Sequence, residues 1–511
     1  MSTRLRRLFH RPPVATPSTR LRSLFSDSMV YGLGAIASKV VGVLLLPIYV
    51  RPEFAGREAF GESDLVVSAI TAVQILLTMG ISSGLARFTL GDPSRDDWKP
   101  VIRTIFVWIL TVSTIACLLG AVFTGPIGGA LHTDRRIVLI ALAGLWVSMN
   151  YDVMIRIFRV ERKPMTVVFF SLINVVLTVG GTVALVIVIH LRLEGILIAN
   201  FAGNYVVYAM MLVSRRHTIG FTFDVALFRR IAAFSLPLMP AGLALWALNF
   251  ADRFQVRDLA QPASQAAGLL GSYSVAGKIA LGIMLVVGAF QTAWPSYAFS
   301  LNDDAAAKRM MREVFSYWTV LTCWALVAAT MASAPYVKLA LAPNVADSLP
   351  VIPLLMAGTV LYGAFLVVNQ GVGYSMRTRM TPLVTTGGAA VNIGLNFWLI
   401  PHYGIVGAGV STVIGYAALV LFGWLNAQRS FPVQYDWSRV LRIAAATTVL
   451  VGLSLWAIPD TGAVGIGLRV IAAAAFPFVL AAIGAITPAE RARLRALLQR
   501  GLGGRQVGQA G

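Results

Sequence analysis

Residues 162–190 read RKPMTVVFFSLINVVLTVGGTVALVIVIH: two cations and a proline, then no charged side chain as far as Ile189. A helix that crosses the hydrocarbon of a bilayer needs about 20 predominantly apolar residues, and the stretch from 165 to 190 has that length and character. The same pattern recurs along the chain. Qualifying stretches are roughly 29–50, 62–86, 101–123, 137–155, 165–190, 194–214, 231–251, 266–298, 314–336, 349–373, 381–400, 405–427, 440–458 and 463–486. The sequence therefore predicts an all-α integral membrane protein of about fourteen transmembrane helices.

Composition agrees. Of 511 residues, 57% are hydrophobic and 13% charged, about half the charged fraction of an ordinary soluble domain. The formal charge of +20 would suggest nucleic acid in a soluble chain, but its distribution is topological. With the N-terminus in the cytoplasm, most Lys and Arg fall in cytoplasmic tails and loops, as the positive-inside rule requires. Nucleic acid is thus not an expected partner. The basic segment 1–28 is interrupted by Pro12, Pro13 and Pro17 and has no apolar core before a cleavage site, so the first helix is expected to be an uncleaved anchor. Both termini are then expected in the cytoplasm, and the membrane is expected to be the bacterial inner membrane. Cys117 and Cys323 lie inside helices, where neither a disulfide nor a metal cluster is expected.

Two internal correspondences set the architecture. Phe60-Gly61 with Asp64 opens the second helix and Leu270-Gly271 with Ser274 opens the eighth, 210 residues later. Pro164 precedes Asn174 by ten residues in the fifth helix, and Pro382 precedes Asn392 by ten in the eleventh, an offset of 218. Gly195-Ile196 and Gly404-Ile405 begin the helices that follow. Repeats six helices apart keep the same orientation, so two parallel six-helix lobes are expected. The boundaries are a basic tail (1–28), an N-lobe (29–214), a C-lobe (215–427), two appended helices (428–487) and a second basic tail (488–511).

Charges within the bilayer mark function, because each costs about 3 kcal/mol at a helix centre on insertion scales. Lys39 and Lys278 are the only lysines inside predicted spans, one in each lobe. Either they line a central cavity and attract an anionic headgroup, or they are neutralised locally or snorkel to an interface. Asp64, with Lys39, Arg51 or Arg253 as partner, and Asp252 beside Arg253 form a gate or an ion-coupling switch, or else are solvated interfacial groups, the better account of Glu62. Asn249, Tyr273, Gln291, Trp294 and Gln370 offer amides and aromatic faces for a sugar path; other polar residues such as Asn150 and Asn174 suit interhelical packing. Pro237 and Pro240 in the seventh helix and Pro295 in the eighth interrupt helical hydrogen bonding. No nucleotide-binding, metalloprotease or paired-cysteine motif is present and all loops are short, so the chain is expected to be neither an ATPase nor another enzyme and to need no cofactor.

The segment Ser235-Leu-Pro-Leu-Met-Pro240, continuing through Trp246 to Asp252-Arg253, and Gly271-Ser-Tyr-Ser-Val-Ala-Gly-Lys278 resemble the polysaccharide flippases of the multidrug, oligosaccharidyl-lipid and polysaccharide exporter superfamily. Asp64-Leu-Val, the stretch from Arg156 to Pro164 and Tyr403-Gly-Ile-Val-Gly-Ala-Gly409 add to the likeness, which spans about 27–427. The resemblance implies a V-shaped, MATE-like pair of lobes working by alternating access. It implies a substrate of undecaprenyl-pyrophosphate bearing an oligosaccharide (an O-antigen, lipopolysaccharide or exopolysaccharide repeat unit), membrane lipids and a polysaccharide polymerase or co-polymerase as partners, and coupling to H+ or Na+. Lys39 and Lys278 would then meet the headgroup, and Asp64 and Asp252 are the coupling candidates. Three alternatives stay open: a multidrug or cation antiporter, for which Lys39 stands where an acid is expected; a lipid II flippase; and a membrane glycosyltransferase or polymerase, which would need a larger outward loop.

Overall fold

The computed structural model describes residues 40–81, 85, 88–89, 98–161, 163–216, 219–298, 303–375 and 378–485. The tails 1–28 and 488–511, and with them Lys39, lie outside the described residues. Among the described residues every regular element is helical; a short helix, Thr124–Leu131, and several 3-10 turns apart, the main helices are numbered in chain order. They are α1 (Leu46–Val50, preceded by helical residues 40–44), α2 (Arg57–Thr78), α3 (Lys99–Val122), α4 (Arg135–Val160), α5 (Pro164–Thr182, extended by a π-helical turn Val183–Val188) and α6 (Arg192–Arg215). Then follow α7 (Val225–Leu259), α8 (Ala266–Ala298), α9 (Asp304–Ala340), α10 (Val351–Tyr374), α11 (381–403), α12 (405–430), α13 (Trp437–Trp456) and α14 (Gly462–Ala482).

Twelve helices among the described residues are long and apolar enough to cross a membrane. The difference from fourteen has two sources. Thr381–Ser430 is one continuous 50-residue element containing a break at Gly404, whose φ of 56° and ψ of −138° only glycine adopts readily; α11 and α12 are its two halves. The first expected span, 29–50, falls partly outside the described residues.

Local chemistry sets the helix starts. Pro100, Pro164 and Pro382 occupy first-turn positions where the missing N–H costs nothing. Side chains of Asp224, Asp303 and Asp436 accept from backbone N–H groups at the starts of α7, α9 and α13. Apolar side chains such as Val176 of α5 and Phe478 of α14 point outward, 69% and 76% exposed, as a chain solvated by lipid requires.

Two hydrophobic cores form. One gathers α2 to α6 around Ile105, Met149, Phe158 and Leu197. The other gathers α8 to α14 around Tyr273, Val327, Met356 and Leu419. α7 belongs to both: Leu227 and Ile231 pack in the first core, Leu248 and Val256 in the second. Between them a 3-10 turn, Leu236–Leu238, occupies the place where Pro237 and Pro240 break helical bonding. α7 is thus an elbow passing from lobe to lobe.

The appended helices α13 and α14 pack on α9 and are pinned by Arg469. Its buried guanidinium donates to the carbonyls of Ser454 (3.0 Å), Ile458 (3.0 Å) and Pro459 (3.1 Å) and pairs with Asp460 (2.6 Å). Asp460 in turn meets Lys338 of α9 at 2.5 Å. Arg469→Ala leaves three backbone carbonyls without this donor and Asp460 with Lys338 alone, and is expected to cost about 1–3 kcal/mol. The expected outcome is labelling of Ser454→Cys by a thiol reagent in the Arg469→Ala background and protection of the same cysteine otherwise.

Candidate functional site: an ionic cluster where the lobes meet

The lobes meet along α2 on one side and α7 and α8 on the other, at the end of the bundle that carries the α1–α2 and α7–α8 connections. The contact centres on the repeat-related pair Gly61 and Gly271. A Cβ on Gly61 would lie 2.5 Å from the backbone nitrogen of Gly271, and a Cβ on Gly271 would lie 2.1 Å from the carbonyl oxygen of Arg57. On a twofold axis equivalent positions touch, which is what the expected two-repeat arrangement requires of this pair. Only glycines allow the backbones to approach so closely.

One turn further along α2 lies a buried ionic cluster. Arg253 Nε of α7 donates to Asp64 Oδ2 of α2 at 2.6 Å, across the lobe boundary. Arg253 Nη1 donates to Asp252 Oδ1 (3.2 Å) and to the carbonyl of Asn249 (2.6 Å). Lys278 Nζ of α8 stands 3.5 Å from Asp64 Oδ1. The Tyr273 hydroxyl donates to Asp252 Oδ2, with the hydroxyl of Thr412 from α12 3.5 Å away from the same oxygen. The Arg253 guanidinium stacks over the Phe250 ring, 4.9 Å from its centroid. Asp64, Asp252 and Arg253 are all buried, at 7%, 2% and 8% exposure. Two carboxylates balance one guanidinium and one ammonium, which is the condition for keeping four charges inside a bilayer.

Lys278 is the least enclosed member, its side chain 34% exposed. It reaches a cavity of about 210 Å³ bounded by α1, α2, α5 and α6, with Asp64, Asn174, Thr178 and Asn200 on its wall. Val41 and Leu45 of the first helix line it too. The ammonium is thus shared between a carboxylate and a polar hollow.

Of the residues read as a sugar path, Asn249 and Tyr273 line a cavity of about 90 Å³ with Asp252, Arg253 and Thr412. Tyr273 is fully buried, its hydroxyl engaged by Asp252; Asn249 is exposed and its amide donates to Leu245 O at 2.7 Å. Gln291 is exposed on α8, Trp294 is buried and stacks on Phe290 with centroids 5.6 Å apart, and Gln370 is half-buried on α10. These three do not line the small cavity. Asn150 bonds Ser113 (3.0 Å) and Asn174 bonds Asn204 (2.8 Å), both between helices. No group of three His, Cys, Asp or Glu among the described residues is placed to hold a metal.

Sequence reading missed the outer ring of the junction. Arg57 of α2 bonds the Asn344 carbonyl and stands 3.5 Å from Asp347 in the α9–α10 connection. Glu62 lies 4.0 Å from Arg257, and His132 lies 3.7 Å from Asp258. Each pair crosses from lobe to lobe, and its partners lie more than a hundred positions apart, so nothing local marks it.

A family model described as a polysaccharide biosynthesis protein matches residues 54–350, more than half of the chain. The chain belongs to that family. No curated protein matches it in sequence. In fold, this member of the polysaccharide biosynthesis family is similar to the lipid II flippase MurJ in an inward closed conformation, with a TM-score of 0.71 at 11% identity over 89% of this chain and 98% of that one. It is also similar to a multidrug resistance MATE family transporter of the MOP superfamily. The inward-facing form of that transporter gives a TM-score of 0.62 at 16% identity, covering 83% of this chain and 99% of that one. The outward-facing form gives 0.54 at 16% identity, covering 83% and 96%. The polysaccharide biosynthesis protein is therefore a multi-pass membrane protein of the MATE-like fold, and the proteins it resembles are transporters and flippases.

Proposed function

We propose that this protein flips undecaprenyl-pyrophosphate-linked oligosaccharide repeat units across the inner membrane, from the cytoplasmic to the outer leaflet, for surface polysaccharide such as O-antigen or exopolysaccharide. The observation that carries the proposal is the Asp64–Arg253–Lys278 cluster, an ionic latch that spans the two lobes and exposes one ammonium to a polar hollow. The distribution of Lys and Arg along the chain supports cytoplasmic termini; with that orientation the joined end faces outward and the opposite end is the loading side. Lys278, together with Lys39, draws in the pyrophosphate as a flexible point charge. Drawing Lys278 away from Asp64 leaves the latch to a single pair, Asp64–Arg253, and the lobes part at the outer end by rocking about the α7 elbow. Neutralising Asp64 or Asp252 by H+ or Na+ would loosen the same pair, which makes these the coupling residues. A polymerase or co-polymerase then takes the released unit.

In a strain lacking the chromosomal copy, wild-type protein is expected to restore surface polysaccharide. Lys278→Ala and Lys39→Ala each lower export, and the double variant abolishes it at normal protein abundance while the lipid-linked unit accumulates in the inner leaflet. Undiminished export by the double variant removes both lysines from the mechanism. The MurJ-like fold supports a second reading, lipid II as cargo; that reading expects depletion to lyse cells, whereas the polysaccharide reading expects viable cells with bare surfaces.

A further inference from the structure

In the other half of the N-lobe, away from the ionic cluster, α2, α3, α4 and the elbow of α7 enclose a cavity of about 370 Å³, within the ~300–1,000 Å³ usual for small-molecule sites. Its wall is mostly apolar, with Ile105 and Met149 among the lining residues. One polar strip interrupts it. Gln74 and Thr78 come from α2, and Asp152 and Arg156 lie one turn apart on α4.

The strip is incompletely satisfied. Gln74 Nε2 donates to Asp152 Oδ2 at 2.7 Å, which leaves Asp152 Oδ1 without a donor among the described residues. The Arg156 guanidinium has neither a hydrogen bond nor an ion pair there, although the Asp152 charge is near enough to be felt. Asp152 and Arg156 are half-buried on the cavity wall, so their unfilled hydrogen-bonding positions are open to whatever occupies the cavity. Asp152 and Arg156 are the charged residues that line the cavity and their formal charges cancel, while Arg159 acts on Asp152 from outside the lining, so the wall itself favours neither a bare cation nor a pyrophosphate. A ring carrying neighbouring hydroxyls fits better, since each hydroxyl both donates and accepts. A carboxylate accepts from two such hydroxyls, a guanidinium fork and an amide donate to others, and the C–H face of the ring lies on Ile105 and Met149.

We propose that this cavity is a binding subsite for one pyranose ring of the transported unit, read by Asp152, Arg156 and Gln74. The proposal rests on the flippase reading above and gives its substrate a docking point on the loading side, next to the elbow that links the lobes. The test uses the full-length protein in lipid nanodiscs. Saturation-transfer NMR is recorded with methyl glycosides of glucose, galactose, mannose and N-acetylglucosamine, and calorimetry with inorganic pyrophosphate serves as the anion arm.

At least one glycoside is expected to receive saturation, and the signal is expected to fall about tenfold in Asp152→Asn and in Arg156→Gln, the size of one lost charge-assisted hydrogen bond. Lys278→Ala, in the other cavity, leaves it unchanged. Thr78→Trp, which fills the cavity without altering the charged pair, also abolishes the signal and serves if a charge variant fails to fold. No transfer from any glycoside, transfer indifferent to all three variants, or pyrophosphate binding that is lost in Arg156→Gln overturns the proposal. The two readings separate cleanly. Export lost in Lys278→Ala without any glycoside signal sinks the subsite alone, whereas a variant-sensitive glycoside signal in a protein whose deletion leaves surface polysaccharide intact sinks the flippase reading alone.

Discussion

Gly271→Val is expected to abolish transport while leaving the protein folded and abundant. Any Cβ at this position would sit 2.1 Å from the Arg57 carbonyl oxygen and 2.6 Å from its carbon. Both are backbone atoms, so no side-chain rotation relieves the clash and the two lobes must separate at the joined end. Overpacking of this kind costs about 1–3 kcal/mol, enough to lower the population of the joined state by roughly 5- to 150-fold. Alternating access needs both states, so a protein held apart at one end does not complete the cycle. The direct measurement is labelling of Ser63→Cys, a position 4% exposed in the joined state, by a membrane-impermeant thiol reagent added outside. The cysteine is expected to be protected in the otherwise native protein and labelled in the Gly271→Val background. Gly61→Ala, which presses on the same contact from the other lobe at 2.5 Å, should act in the same direction. Normal export by Gly271→Val would show that the lobes do not need this contact.

Arg253→Met is expected to be the most damaging single change to stability. The guanidinium is the common partner of two buried carboxylates, Asp64 across the lobe boundary and Asp252 beside it. Methionine fills much of the space but removes the guanidinium from both carboxylates, so that Lys278 is the one cation still paired with Asp64 and Asp252 keeps the hydroxyls of Tyr273 and Thr412. Removing one member of a buried ionic set costs about 3–5 kcal/mol, because the survivors remain charged and desolvated. The yield of monodisperse protein in detergent should therefore collapse. Adding Asp64→Asn and Asp252→Asn removes the uncompensated charge and should recover most of that yield. Recovery of folding without export would assign the charges to gating. Recovery of both would reduce the cluster to a packing device, and no loss of yield in Arg253→Met would contradict the burial on which the prediction stands. Arg253→Lys separates charge from shape, since an ammonium cannot reach two carboxylates and a carbonyl with the fixed geometry of the fork.

Much of the architecture could be read from the sequence because the bilayer imposes a local rule. The helix from Pro164 starts where Arg162-Lys163-Pro164 says it should, and α3, α4, α6 and α10 fall within a few residues of their apolar stretches. The glycines of the matched pairs Phe60-Gly61 and Leu270-Gly271 touch where the lobes meet. The site was less legible. Sequence offered Lys39, Arg51 or Arg253 as partners for Asp64, and the fold supplies Arg253 and Lys278. Lys278 was one of two isolated lysines in the sequence and is held by an acid in the structure. Asp152 carried no signal at all, because one acid near a helix end, followed by Arg156, resembles an ordinary interfacial pair.

By itself, the sequence determined that the chain is a many-helix membrane protein and where its long apolar helices lie, and it led to an expectation of which way the basic loops point. Those properties follow from apolar length and charge counted along the chain, which hydrocarbon thickness and the cost of moving cations across it convert directly into topology. Only the tertiary structure decided which charges neutralise one another. Asp64 and Arg253 stand 189 positions apart, and a buried carboxylate is satisfied by whichever donors packing brings within about 3 Å, a distance that no local pattern encodes.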